Sequence, residues 1–313
     1  MEKQNLASAV LGEMQKAVIG KEEEIKKIFC AIIAGGHVLI EDIPGLGKTT
    51  MAKAFSQLLG LKTQRMQFTP DVLPSDVVGF NLLDKKTQEM KYMPGAVFCN
   101  LFLADEINRT SPKTQSALLE VMEEGKVSVD GITRDVEKPF IVVATQNPCG
   151  SAGTQLLPDS QMDRFMICLS LGYPNDKEEM DIIKLMKALP NEKEIEPIMS
   201  AKDILKLQES ALEVFMHDAI YKYIVSLVQA TRQSALIEQG ASPRASIALA
   251  KMAAAYALIH GRDYVIPEDV LAVFREVVAH RIIMNSKAKM KHLTKEDILQ
   301  EIINQVKAPR MVS

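Results

Sequence analysis

The chain has 313 residues, 47% of them hydrophobic and 25% charged, a composition that supplies a sizeable core and excludes disordered and collagen-like chains. Its 37 basic and 40 acidic residues leave a formal charge of -3, so no global field favours nucleic acid or an anionic membrane. The N-terminus mixes charges and lacks the apolar stretch of a signal peptide. The longest apolar run, 28–40, is interrupted by Gly35, Gly36 and His37 and is too short to span a bilayer. A cytoplasmic protein with no integral membrane segment is expected. Cys30, Cys99, Cys149 and Cys168 show no Cys-x-x-Cys spacing, and no two of the five histidines stand three or four apart. That argues against a disulfide framework, a zinc site or a helical metal-ligand pair.

Leu6, Val10 and Met14, then Ile25, Ile28 and Ile32, stand at helical spacing and predict two helices within 6–34, broken at Ile19-Gly20. Residues 38–40 form a short apolar strand, followed by a glycine-bearing turn over 41–47 and a helical pattern over 48–59, closed by Gly60. The short apolar runs 100–104 and 140–145 each end in polar residues, as strands of a buried parallel sheet do at their ligand-facing edge. Ser111-Pro112 reads as an N-cap with proline at the first helical position, and that helix ends near Gly125. Val127 and Val129, the dipeptide Asp130-Gly131, then Ile132 and Val136 predict a β-hairpin. After Tyr173-Pro174 the composition shifts to helical periodicity with no convincing strand. The expected layout is an α/β unit over 1–173 and an all-helical unit over 174–313.

Three segments carry the chemistry. In Gly45-Leu46-Gly47-Lys48-Thr49-Thr50 the glycines let the backbone approach an anion, the helix start adds positive potential, Lys48 can reach terminal phosphates and Thr49 can ligate magnesium. The full phosphate-loop pattern wants glycine at position 42, where this chain has Asp42. Aspartate tolerates the left-handed backbone region, so the loop can survive provided the carboxylate points away from the nucleotide. The strand 100–104 then ends in Asp105-Glu106, two acids that can divide the work: Asp105 to hold magnesium, Glu106 to orient and deprotonate water. Asn147, at the end of the third strand, could position that water or touch the terminal phosphate. Farther on, Ser242-Pro243 reads as a helix start that puts Arg244 in the first turn, where the helix dipole disfavours a cation. An anionic partner would explain it.

These segments, in this order, resemble the AAA+ ATPases, and within them the MoxR family of the helix-2-insert clade. Residues 40–49 are similar to its Walker A loop, with Pro44 inside it, and Asp105-Glu106-Ile107-Asn108-Arg109 to its Walker B segment. The hairpin at Asp130-Gly131 resembles the insertion before the first sensor, Asn147 that sensor, and 81–95 the insert within helix 2. The resemblance implies a P-loop NTPase core, a parallel sheet with helices on both faces, followed by a smaller helical lid. It implies further that Arg164 is an arginine finger reaching a neighbouring subunit's nucleotide, that Arg244 is a second sensor, and that Val18, Ile19 and Gly20 lie near adenine. With no Asn-Lys-x-Asp signature, ATP is favoured over GTP. The implied protein is a magnesium-dependent ATPase in a homo-oligomeric ring, most simply a hexamer. It would act as a chaperone that remodels or matures client protein complexes or inserts metal cofactors, with von Willebrand factor A-domain partners. Two rivals stand beside it: a motor acting on DNA or a chelatase-type subunit, and a non-hydrolysing assembly switch.

Overall fold

The computed structural model describes residues 2–43, 45–147, 157–188 and 196–310. Helices α1 (Glu2–Ala17) and α2 (Glu22–Ile33) are separated by a turn in which Gly20 and Lys21 both take positive φ, 71° and 62°. Glu22, Glu23 and Glu24 sit in the first turn of α2, where the helix dipole favours acids. Then come β1 (Val38–Glu41), α3 (Lys48–Leu58), β2 (Thr63–Gln67), the short α4 (Pro74–Val78) and a hairpin of β3 (Gly79–Leu83) with β4 (Met90–Pro94). Strand β5 (Leu101–Asp105) leads to α5 (Pro112–Glu124), capped by the Ser111 hydroxyl accepting from the Thr114 amide at 3.3 Å and ended by Gly125 at φ 63°. A second hairpin, β6 (Lys126–Val129) with β7 (Ile132–Asp135), turns at Asp130 and Gly131, whose φ of 50° and 77° suit a tight primed turn. Strand β8 (Ile141–Gln146), the four-residue α6 (Asp159–Met162) and β9 (Ile167–Leu169) complete this half.

The five-stranded sheet has the order β2-β5-β8-β1-β9, every pair parallel. Strands β5 and β8 are buried at every position, which is why their sequences are apolar up to their polar ends, Asp105 in β5 and Thr145-Gln146 in β8. Their alternate residues feed two cores. Leu101, Leu103, Ile141 and Val143 face one with α1, α2 and α3, whereas Phe102, Ala104, Val142 and Ala144 face the other with α5.

The second half contains α7 (Asp176–Ala188), α8 (Ala201–Glu213), α9 (Asp218–Gln233), β10 (Ile237–Gln239), α10 (Pro243–Ile259), α11 (Pro267–Val278), β11 (Ile283–Met284), α12 (Ser286–Met290) and α13 (Lys295–Gln305). The helices match the sequence reading. The antiparallel β10–β11 ribbon is an addition to it, because strands of three and two residues are too short to show a period. The first core runs on through this half, since α2 packs on α8 and α10. No helix among the described residues is long and apolar enough to cross a membrane.

A largely buried ion pair helps to join the halves. The Arg281 side chain, 3% exposed, donates through Nε to Asp163 Oδ1 at 2.7 Å and through its remaining nitrogens to the carbonyls of Asp163, Phe165, Met166 and Val277. Removing one member of a buried pair strands the other charge, so Arg281→Ala is expected to lose about 3–5 kcal/mol of unfolding free energy. Urea titration checks this, and a loss below about 1 kcal/mol would show the pair to be solvated.

Candidate functional site

Strand β1 delivers the chain into the turn before α3. The positive φ values here belong to Gly45 (91°) and Gly47 (78°), and a Cβ at either would meet no atom within 4 Å, so backbone conformation alone demands glycine. Gly47 caps α3, whose first turn carries no acid, leaving its N–H groups and positive dipole end available to an anion. Lys48 Nζ donates to the Asp42 carbonyl at 2.6 Å. Burial pulls its pKa below the ordinary lysine value, opposed by the carboxylates of Asp42, Asp105 and Glu106. Pro44, in the same turn, lies outside the described residues.

Asp42 survives for a different reason from the one expected. It is not among the positive-φ residues, so left-handed tolerance is not in use. Its carboxylate does turn away from the loop: Oδ1 accepts from the Ser170 hydroxyl at 2.7 Å and Oδ2 from the Leu171 amide, just beyond β9.

At the end of β5, Asp105 is 5% exposed. Its Oδ2 accepts from Arg65 Nε at 2.7 Å and lies 3.5 Å from Thr49 Oγ1, while Oδ1 accepts from the Thr145 hydroxyl at 3.3 Å. Glu106 takes φ 55°, a left-handed conformation that costs a non-glycine residue about 1 kcal/mol or more. Its amide donates to Thr145 Oγ1 at 2.9 Å, and its Oε2 accepts from Gln67 Nε2 at 2.7 Å and Arg109 Nη1 at 2.8 Å. Asn147 directly follows β8, and its carbonyl accepts from Asn108 Nδ2 at 3.2 Å. Parallel pairing of β5 with β8 and of β8 with β1 brings Thr49, Asp105, Glu106 and Asn147 to one sheet edge. Sequence reading missed Arg65, Gln67 and Thr145, and gave no role to Asn108 within the Walker B-like segment. Arg65 and Gln67 share one face of β2, a largely exposed strand whose polar residues gave no strand signal.

Val18 and Ile19 do join the turn: with Gly45, Leu46, Gly47 and Thr50 they line a cleft of about 290 Å³, closed by Gly172, Pro174, Ile182 and Leu185. Gly20 is not among the residues lining the cleft; it takes positive φ in the α1–α2 turn, beside the Glu178 carboxylate. The contributions of α7 to this cleft were not foreseen.

Arg164 and Arg244 lie elsewhere. Both pair with Glu123 at the end of α5, Arg164 Nε at 2.9 Å and Arg244 Nη2 at 2.5 Å, and together they hold that carboxyl below its ordinary pKa. This is the anionic partner that an arginine in a first helical turn needs. The Met166 amide donates to the His37 carbonyl at 2.8 Å, so this segment adjoins the start of β1, whereas the phosphate-binding turn leaves its end. The four residues of β1 separate the two by about 13 Å. Arg244 does not adjoin its own chain's phosphate-binding turn: α10 begins at the opposite edge, tied there by the Ser242 hydroxyl donating to Asp163 Oδ2 at 2.9 Å. Arg164, Arg244 and Arg281 line an open cavity of about 620 Å³.

Comparison with known proteins fits this architecture. A family model for the ATPase family associated with various cellular activities matches residues 37–167, and one for the AAA lid domain matches 229–302. YeaC of Bacillus subtilis is 45% identical, across 97% of this chain and 95% of its own length. Chaperone MoxR1 of Mycobacterium tuberculosis is 37% identical, across 96% of this chain and 81% of its own. The chain belongs to the MoxR family of AAA+ ATPases. A solved structure from Cytophaga hutchinsonii, described as a candidate ATPase, superposes with TM-score 0.92 at 35% identity, covering 99% of this chain and 96% of the other. In this MoxR-family fold the segment likened to the helix-2 insert is the β3–β4 hairpin, and the one likened to the insertion before the first sensor is β6–β7. The two touch: Asn81 Nδ2 donates to Asp130 Oδ2 at 2.7 Å, and the Arg134 guanidinium lies 3.7 Å from the Tyr92 ring centroid.

Proposed function

We propose that this AAA+ ATPase binds ATP with magnesium in the cleft between the α1–α2 turn and α3, and hydrolyses it at the adjoining sheet edge. The observation that carries the reading is the meeting of Lys48, Thr49, Asp105 and Glu106, from one strand end and a helix start, around one glycine turn. The donor set suits magnesium. The Thr49 hydroxyl and the Asp105 carboxylate are hard oxygen ligands 3.5 Å apart, and no cluster of three His, Cys, Asp or Glu occurs among the described residues, so phosphate and water would complete the shell. Bound there, magnesium would offset charge on the phosphate oxygens. Val18 and Ile19 would pack the base, the α3 N-terminus and Lys48 would hold phosphates, and Lys48 would exchange the Asp42 carbonyl for them. Glu106 would take the proton of the attacking water, which requires freeing Oε2 from Gln67 and Arg109, and Asn147 would orient the water.

Arg164 and Arg244, facing away from this turn, would serve the triphosphate of a neighbouring subunit, so the active assembly is a ring, most simply a hexamer. Residues 1–173 would form the nucleotide-binding unit and 174–313 the lid. The name of the MoxR1 relative supports a chaperone role, remodelling or maturing client complexes in the cytoplasm, alone or with a von Willebrand factor A-domain partner. Phosphate release measured across a range of protein concentrations tests the reading. Specific activity is expected to rise with concentration and then saturate, whereas no release at any concentration leaves only the assembly switch.

A further inference from the structure

We propose that Asp42, the acid at the position where the loop pattern wants glycine, is a positioning residue that fastens the base end of the nucleotide cleft to the phosphate-binding turn. The inference rests on the proposed reading of that cleft as an ATP site and assigns Asp42 to the base half of it. Asp42 is 7% exposed, and both carboxylate oxygens are used, on the Ser170 hydroxyl at 2.7 Å and on the buried Leu171 amide. The Ser170 hydroxyl in turn accepts from the Gly172 amide at 3.2 Å. Gly172 and Pro174 line the cleft together with Val18 and Ile19. A second tie holds the same strip, as Lys21 of the α1–α2 turn donates from Nζ to the Tyr173 carbonyl at 3.0 Å.

The main chain of Asp42 faces the other way. Its amide donates to the Gln146 carbonyl at 3.2 Å and its carbonyl accepts from Lys48 at 2.6 Å. One residue thus touches the phosphate lysine, the central sheet and the strip that walls the cleft. Glycine would keep the two main-chain contacts and lose the carboxylate, leaving the buried Leu171 amide unpaired and residues 170–174 held at Tyr173 by Lys21. A ligand that packs against a loosened wall must supply the ordering free energy itself. The phosphate half would suffer little: the carboxylate points at the strip, and at neutral pH removing a negative charge near Lys48 removes a repulsion on an incoming anion, although that carboxylate also supports the protonated lysine.

The two halves of the ligand can be separated. Titration calorimetry of the full chain with Mg-ATP and with Mg-tripolyphosphate, which has phosphates and no base, reads them independently. For Asp42→Asn we expect ATP to bind about 10-fold more weakly, the equivalent of one charge-assisted hydrogen bond at about 1.4 kcal/mol per decade, and tripolyphosphate to bind as well as before or more tightly. Ser170→Ala, a change at an exposed side chain, should weaken ATP about 3-fold and leave tripolyphosphate unchanged. Unchanged ATP affinity in Asp42→Asn, or parallel loss of both ligands, overturns the inference. Should that variant unfold, Ser170→Ala decides, and ATP binding at wild-type strength overturns it. Wild-type protein that binds neither ligand removes the ATP-site reading itself, an outcome distinct from either.

Discussion

Glu106→Gln is expected to bind ATP with near wild-type affinity and to hydrolyse it ~100-fold more slowly or worse. The amide keeps the size of the side chain and one acceptor oxygen for Arg109, so the left-handed turn at residue 106, with its amide on Thr145, should persist. What it loses is basicity, the only property by which a residue beside the triphosphate can take a proton from water. Binding measured with Mg-ATP and hydrolysis measured in a single turnover separate the two effects. Turnover at the wild-type rate would remove Glu106 from the role of base.

Arg164→Ala is expected to cost ~1000-fold in turnover, the lower range for an arginine finger, while each chain still binds ATP. The reason is topological: Arg164 adjoins the start of β1 and the phosphate-binding turn leaves its end, so on the proposed reading the guanidinium would serve a triphosphate presented by another chain. Glu123 holds Arg164 and Arg244 side by side and half-neutralised, and an incoming triphosphate would compete with that carboxylate for both. A mixture of Arg164→Ala with Lys48→Ala chains should recover part of the activity, because a subunit with an intact turn can meet a neighbour with an intact finger. A mixture no more active than the sum of its parts would place the function of Arg164 within its own chain.

Much of the sheet was legible. Strands 100–104 and 140–145 announced themselves because both faces are covered, which forces a largely apolar run, and the Asp130-Gly131 turn needs the positive φ values those residue types allow. Strand β2 was illegible because its Thr, Arg and Gln side chains are largely exposed at the sheet edge, and with it went Arg65 and Gln67, the partners of Asp105 and Glu106. The α7 side of the cleft was hidden for another reason: Ile182 and Leu185 read as ordinary helix apolar positions until the chain folds back over the turn.

The sequence by itself determined the chemical types available and their placing at strand ends: a lysine at a helix start, an acid pair and an amide each directly after an apolar strand. Local pattern encodes these, because burial and backbone conformation act within a few residues. Strand order, and with it which ends become neighbours, was decided only by the tertiary structure, because parallel pairing joins residues far apart in the chain. The same holds for the fate of single side chains. Whether the Asp42 carboxylate meets a phosphate or a backbone amide, and whether Arg244 faces its own chain's phosphate-binding turn or the opposite edge of the sheet, depends on long-range packing that no window of sequence contains.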